Sequence, residues 1–195
     1  MFRERLAAEF APYVALSEEQ LVLLTRHYEL LVHWNQSLNL TRIVGIDEAV
    51  RLHYCESLFV GYTLPRVPLR VIDVGSGAGF PGIPLAILRP ECTVTLVESH
   101  QRKAVFLREA SRLLPNVRVI SDRAESVSDD WDWVVSRAVR PVDVLAFGLA
   151  SNQALLMSSS DLPGLPEPVL VHRVPWGSDR VLAEFHVEHQ KLRST

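Results

Sequence analysis

The chain has 195 residues, of which 48% are hydrophobic and 22% charged, a composition that excludes intrinsic disorder and collagen-like repeats. Its net charge of -3 argues against nonspecific, charge-driven nucleic-acid binding, while leaving room for a local basic face. No stretch reaches the roughly 18 unbroken apolar residues of a membrane span, and Cys55 and Cys92 alone can form neither a disulfide framework nor a four-ligand zinc site. Glu4 and Glu9 stand in the first turns with no long apolar core, so no secretory leader and a cytoplasmic location are expected. Every basic residue except Lys103 and Lys191 is arginine. Arginine gives planar, bidentate contacts to phosphate and guanine edges, although a codon-biased genome gives the same composition.

Residues 1–62 read as helical. Ser17-Glu18-Glu19-Gln20 forms a capping box, and Leu21, Leu24, Tyr28, Leu31 and Val32 follow at helical spacing as a buried stripe. A further helix is expected from Asp47 through His53 and Ser57 to Phe59. Gly61, Pro65 and Pro68 end it and form a linker. From residue 69 the pattern alternates. Strands are expected over Leu69–Val74, Thr93–Val97, Val117–Ile120, Asp132–Ser136 and Ala154–Met157. Helices are expected over Ile83–Leu88, Gln101–Leu114 and Val142–Ala150. Such alternation implies a mostly parallel sheet covered on both faces. Val169–Val174 and Val181–Val187, joined by residues 175–179, read as an antiparallel hairpin. The domains are therefore a helical extension over 1–66, packed on a sheet domain over 67–195.

The strongest local signal is Asp73-Val74-Gly75-Ser76-Gly77-Ala78-Gly79-Phe80-Pro81-Gly82, placed after a buried strand and before a helix. Glycines let the backbone turn sharply and let a ligand approach where a side chain would clash. Gly77-x-Gly79-x-x-Gly82 formally matches the dinucleotide fingerprint. The register directly after the strand, however, is Gly75-x-Gly77-x-Gly79, with Phe80 and Pro81 where that fingerprint needs other residues. Glu98 ends the second strand, placed to accept hydrogen bonds from two ribose hydroxyls, which fits an adenine dinucleotide or S-adenosylmethionine. The Asp-x-Gly-x-Gly-x-Gly form, the ribose acid and the final hairpin favour a Rossmann-like class I methyltransferase sheet with an antiparallel last strand. Arg123-Ala124-Glu125 follows the third strand, where an adenine edge would lie. Arg137, in Ser136-Arg137-Ala138, ends the fourth strand and is aimed at the ligand crevice.

These residues resemble the bacterial 16S ribosomal RNA guanine-N7 methyltransferases, the glucose-inhibited division protein B family. The resemblance runs through Trp34-Asn35, Asn39-Leu40-Thr41, His53 and Glu56-Ser57. It continues through the segment from Asp73 to Ala86, then Glu98-Ser99, Arg102-Lys103, Arg123-Ala124-Glu125 and Ser136-Arg137-Ala138. It implies S-adenosyl-L-methionine as cofactor, with contacts at Gly75, Gly77, Phe80, Ala124, Glu125 and Arg137 and with Glu98 at the ribose. It also implies 16S rRNA in the 30S subunit as partner, for which Arg42, Arg51, Arg102, Lys103, Arg123 and Arg140 are the candidate contacts. Two departures stand out. The family usually has Asp-Ser at Glu56-Ser57, and a Lys-Gly pair where Met157-Ser158-Ser159-Ser160 stands.

Guanine N7 carries a lone pair and no proton, so methylation there needs positioning rather than a general base. No catalytic dyad and no metal-ligand cluster of histidines is apparent, and a metal-free monomer is expected. The alternatives are a small-molecule methyltransferase on the same sheet, a ribosome-binding relative with reduced or lost turnover, and a nicotinamide oxidoreductase, the last disfavoured by Phe80 and Pro81.

Overall fold

The computed structural model describes residues 1–43 and 45–188. Its helices and strands are α1 (Phe2–Phe10), α2 (Glu18–Leu38), α3 (Ile46–Glu48), a π-helical segment Ala49–Cys55, α4 (Glu56–Thr63), β1 (Arg70–Val74), α5 (Gly82–Leu88), β2 (Thr93–Val97), α6 (Gln101–Ala110), β3 (Val117–Ile120), β4 (Trp133–Arg137), α7 (Pro141–Ala146), β5 (Asn152–Ser158), β6 (Leu170–Arg173) and β7 (Arg180–His186). The seven strands lie in the order β3-β2-β1-β4-β5-β7-β6. β7 runs antiparallel to both of its neighbours, and the β1–β2, β1–β4, β2–β3 and β4–β5 pairs are parallel. This is the mostly parallel sheet with a reversed final strand that the alternating pattern predicts.

Alternation along the strands divides the core into two layers. Val71, Val94, Leu96, Val135, Ala154 and Leu156 face one side, where helices from both halves of the chain meet them. Ile72, Val74, Val97, Val134, Leu155 and Met157 face the other side, with Val144 and Leu145 of α7. Successive side chains of a strand point to opposite faces, and both faces are covered, so the central strands are apolar throughout. Phe2, Leu6, Phe10, Leu24 and Leu31 of α1 and α2 belong to the first layer. The N-terminal helices thus share one continuous core with the sheet.

The capping box forms as expected. Gln20 N–H donates to Ser17 Oγ at 3.2 Å and Ser17 N–H to Gln20 Oε1 at 2.9 Å. The helix expected near Asp47 starts at Ile46, widens into the π-helical segment and continues as α4 to Thr63, past Gly61. Gly61 sits inside the helix because α5 lies close against it: a Cβ there would come within 3.3 Å of Leu85 Cγ. The last two expected helices end earlier than periodicity suggests, α6 at Ala110 and α7 at Ala146.

Sequence patterning did not mark Arg89, which organises the connection between the helices and β1. Its guanidinium is buried and donates to the carbonyls of Gly61 (3.0 Å), Leu64 (3.4 Å), Pro65 (2.8 Å) and Val67 (3.1 Å), and it pairs with Glu91. The Pro65–Pro68 stretch cannot bond its own carbonyls in a helix or strand, so a fork of donors does so instead. Arg89→Lys offers one ammonium against four dispersed carbonyls. It is expected to lower unfolding free energy by about 2 kcal/mol, measured by urea denaturation.

Candidate functional site

The glycine-rich segment leaves β1 at the carboxyl edge of the sheet, where parallel strands present ligands. Gly75 has φ +72°, and a Cβ there would approach Val139 Cγ2 to 2.3 Å. Gly82 is required for a different reason, since a Cβ would strike Asp73 Oδ2 at 2.6 Å and Leu96 Cδ2 at 2.3 Å. Asp73 is fully buried and its Oδ2 accepts from Gly82 N–H at 3.0 Å, while its Oδ1 has no hydrogen-bond partner. Burial pushes its carboxyl up to about 7, against hydrogen bonds that favour the charged form. Behind the loop, buried His27 of α2 donates from Nε2 to Ala78 O at 3.0 Å, and its Nδ1 accepts from the Tyr54 hydroxyl at 2.8 Å. Burial holds it neutral, at about 4. Nothing in the motif reading singled out His27. It lies between Leu24 and Leu31 on the buried stripe, which was the available signal.

Two cavities flank the turn that follows β4. The first, of about 270 Å³, is bounded by Val74, Gly75, Val97, Ala124, Val139 and Phe147, with Ser99, Asp122, Arg123 and Glu125 also on its lining. Its apolar walls suit a flat ring, and the Asp122 and Glu125 carboxylates offer acceptors to an amine. Glu98 is 8% exposed. It accepts from Gly77 N–H at 3.0 Å and from His100 N–H at 2.8 Å. A carboxylate has about four acceptor sites, so capacity for a diol remains after it has braced the loop. The structure thus gathers Gly75, Ala124 and Glu125 around the cavity and joins Gly77 to Glu98 beside them.

The second cavity, of about 540 Å³, lies on the other side of the turn and is lined by Leu52, His53, Glu56, Arg137, Ala138 and Arg180 among others. Arg137 enters it from the end of β4. Its Nη1 donates to Leu52 O at 2.7 Å and its Nη2 to His53 Nδ1 at 2.8 Å, and its guanidinium carbon lies 5.2 Å from the centre of the Phe80 ring. Burial lowers its pKa to about 10, which leaves it charged at neutral pH. Phe80 is 3% exposed and stacks on His53 with ring centres 4.6 Å apart. It therefore underlies Arg137 and His53, apart from the first cavity. Because a guanidinium only donates, His53 Nδ1 accepts and Nε2 holds the proton, which meets Thr41 Oγ1 at 2.8 Å. Thr41 is fixed by Asn35 through paired bonds of 2.9 and 3.0 Å. The Trp34-Asn35 and Asn39-Leu40-Thr41 motifs thus form a strap that orients His53. Ala138, next to Arg137, has φ +68°, a conformation that costs a non-glycine residue about 1–2 kcal/mol and clusters at functional sites.

The candidate RNA-contacting residues are dispersed. Arg42, Arg51, Arg102, Arg123 and Arg140 are exposed, and Lys103 is half-buried. Arg140 is engaged by Asp143 through two bonds of 2.8 Å, and Arg51 lies 3.5 Å from Glu9. Arg123 stands at the first cavity. Where the resembling family carries Lys-Gly, Ser158 donates to Asp179 Oδ2 at 2.7 Å and Ser159 N–H to Asp179 O at 2.7 Å. This fixes the loop of residues 176–180 beside the second cavity. Among the described residues no group of three or more His, Cys, Asp or Glu could hold a metal ion, and no helix is long and apolar enough to cross a membrane. His189, one of the histidines scattered along the sequence, lies outside the described residues.

The strand order, the glycine loop and the paired cavities at the carboxyl edge define a class I methyltransferase fold. Solved structures agree on the fold. A SAM-dependent methyltransferase from Aquifex aeolicus superposes with a TM-score of 0.54 at 16% identity, over 72% of this chain and 93% of that one. Aeropyrum pernix fibrillarin, crystallised with natively bound S-adenosyl-L-methionine, gives 0.51 at 14% identity over 68% and 76%. The sequence profile of the rRNA small subunit methyltransferase G family (GidB) matches residues 20–154, and the chain belongs to that family. Proteins named ribosomal RNA small subunit methyltransferase G are similar to it. The one from Pelotomaculum thermopropionicum is 46% identical over 145 residues, 68% of this chain and 59% of its own length. The one from Prochlorococcus marinus is 36% identical over 163 residues, 75% and 66% respectively. The chain therefore spans slightly under two thirds of the length of these relatives.

The site carries a pH signature. Burial, and then the charge of Arg137, pull His53 down to about 3 from an ordinary value of 6.5. The unfolded chain takes up that proton near pH 6.5 and the folded one does not, so this contribution to stability is present above 6.5 and is lost as pH falls. His53→Gln removes it. The destabilisation caused by that substitution is expected to be largest at pH 8 and smaller by about 1–2 kcal/mol at pH 5, read from urea unfolding of both proteins at the two pH values.

Proposed function

We propose that this chain is an S-adenosylmethionine-dependent methyltransferase that modifies N7 of a guanine in 16S ribosomal RNA, acting as a cytoplasmic monomer on the 30S subunit. The observation that carries the reading is the pair of cavities separated only by the Arg137–Val139 turn. One has the shape and acceptors for an adenosine and the other is open to a second, larger partner. Family membership supports the substrate class, and the fold supports the cofactor.

The residues present fit the cofactor. Gly75 lines the first cavity where a Cβ would collide with Val139, Val74, Val97, Val139 and Phe147 would enclose the adenine, and the free acceptor capacity of Glu98 would take the ribose hydroxyls. When bound, S-adenosylmethionine supplies a methyl group on a positively charged sulfur. The chain's own task is to align and to exclude water. N7 attacks with its lone pair, so no side chain has to remove a proton. In keeping with that, His53 is held neutral with both ring nitrogens engaged. Arg137, itself pinned by Leu52 and His53, fixes the wall between the two ligands, and such positioning can supply roughly 7–11 kcal/mol of a barrier.

The purified chain is expected to transfer radiolabel from S-adenosylmethionine to 30S subunits of a strain lacking this modification, and digestion of the RNA should yield 7-methylguanosine. Binding of 30S subunits without transfer would instead favour a relative that has lost turnover, and transfer confined to small molecules would refute the RNA reading. Gly75→Ala, which drives a methyl group against Val139, is expected to weaken S-adenosylmethionine binding at least tenfold by calorimetry, an effect of about 1.4 kcal/mol or more.

A further inference from the structure

Glu56 is the first residue of α4 and projects into the second cavity. Its side chain is 2% exposed, yet Oε1 has no hydrogen-bond partner. Two guanidinium groups stand near it: Arg180 Nε is 3.5 Å from Oε1 and Arg137 Nη1 is 3.7 Å from Oε2. At these separations the pairs are ionic contacts rather than good hydrogen bonds. A buried carboxylate left in this state is costly, because its acceptor capacity is unspent. Gly177 lies against it from the β6–β7 loop. A Cβ there would come 3.3 Å from Glu56 Oε1 and 2.1 Å from Arg180 Cγ, so only a glycine lets the loop pack this closely against Arg180 and the carboxylate.

We infer that Glu56 is the residue that selects guanine, its two carboxylate oxygens accepting the N1–H and N2–H groups of the acceptor base. The inference rests on the RNA-methyltransferase reading above and names the recognition chemistry at that site. Guanine presents two parallel donors on its Watson–Crick edge, remote from N7, and an ionised carboxylate is an acceptor-only group with matching geometry. Adenine also has an N7 lone pair. On the corresponding edge it places an unprotonated N1, an acceptor that would face the carboxylate and be repelled. Enzymes that act on an extruded base read that edge by hydrogen bonds, and a site built for a donor rejects an analogue that lacks it. Burial raises the Glu56 carboxyl above its usual range, and the charges of Arg180 and Arg137 oppose that shift from 3.5 and 3.7 Å. Asp179, hydrogen-bonded by Ser158, holds the loop that carries Gly177.

The test compares guanosine and inosine, which lacks the N2 amine, at the modified position of reconstituted 30S subunits, the position being mapped first with the unaltered protein. The unaltered protein is expected to lose about 10- to 100-fold in kcat/KM on inosine. Glu56→Gln is expected to lose about 100-fold on guanosine, to treat the two bases within about threefold of each other, and to bind S-adenosylmethionine as before by calorimetry. Failure of the unaltered protein to methylate any subunit overturns the functional reading and this inference with it. Equal rates on guanosine and inosine overturn the inference alone. So does a Gln variant that keeps the preference, or one whose cofactor affinity falls in proportion to its rate. Should the variant not fold, the inosine comparison on the unaltered protein still decides.

Discussion

The guanidinium of Arg137 is the constraint on which the site depends. A charge buried at the end of a central strand is tolerated only where its donors and its field are answered, and here three residues from two parts of the chain answer it. The Leu52 carbonyl comes from the π-helical segment, His53 from one residue further along, and Phe80 from the glycine-rich loop. The same contact therefore docks the helices on the sheet, sets the tautomer of His53 and supports the loop from behind. It also gives the wide helical turn over Ala49–Cys55 a role, since such turns are frequent at functional sites. One short segment delivers a carbonyl, an imidazole and, at Glu56, a carboxylate to a single point.

The parts of the fold that were legible in the sequence are those with a period or a local capping rule. β2 and β3 fall on the residues their apolar runs mark, and the Ser17–Gln20 box closes as its spacing requires. The errors sit at ends. α7 ends at Ala146 because Gly148, at φ +65°, has already left helical geometry, and periodicity cannot see that. Gly61 reads as a helix breaker in isolation, but the close approach of α5 makes it a packing residue. Propensity yields there to a contact 24 residues away along the chain.

At the site, the motif gave the residues and not their partners. Gly75, Ala124 and Glu125 meet around one cavity, whereas Phe80 turns inward to carry His53 and Arg137. Glu98 reads as a ribose acid, yet in the fold it also braces the loop at Gly77. Arg89 left no trace beyond its type, and His27 none beyond its place on the buried stripe of α2. Their work is done by long-range bonds to backbone carbonyls, and such bonds impose no spacing on a sequence.

The distribution of strain and charge around the β4 turn follows a single logic. Ala138 holds a left-handed conformation, which turns the chain between the two cavities so that residues two apart, Arg137 and Val139, face different ones. A relaxed turn would bring both side chains to the same side. The cost is offset by the strand behind it, where Ser136 Oγ donates to Val74 O at 2.8 Å and locks β4 to β1. Rigidity in the sheet is thus converted into a fixed wall between the two cavities. The methyl transfer to N7 proposed above asks for alignment and no proton transfer, and such a wall would suit it.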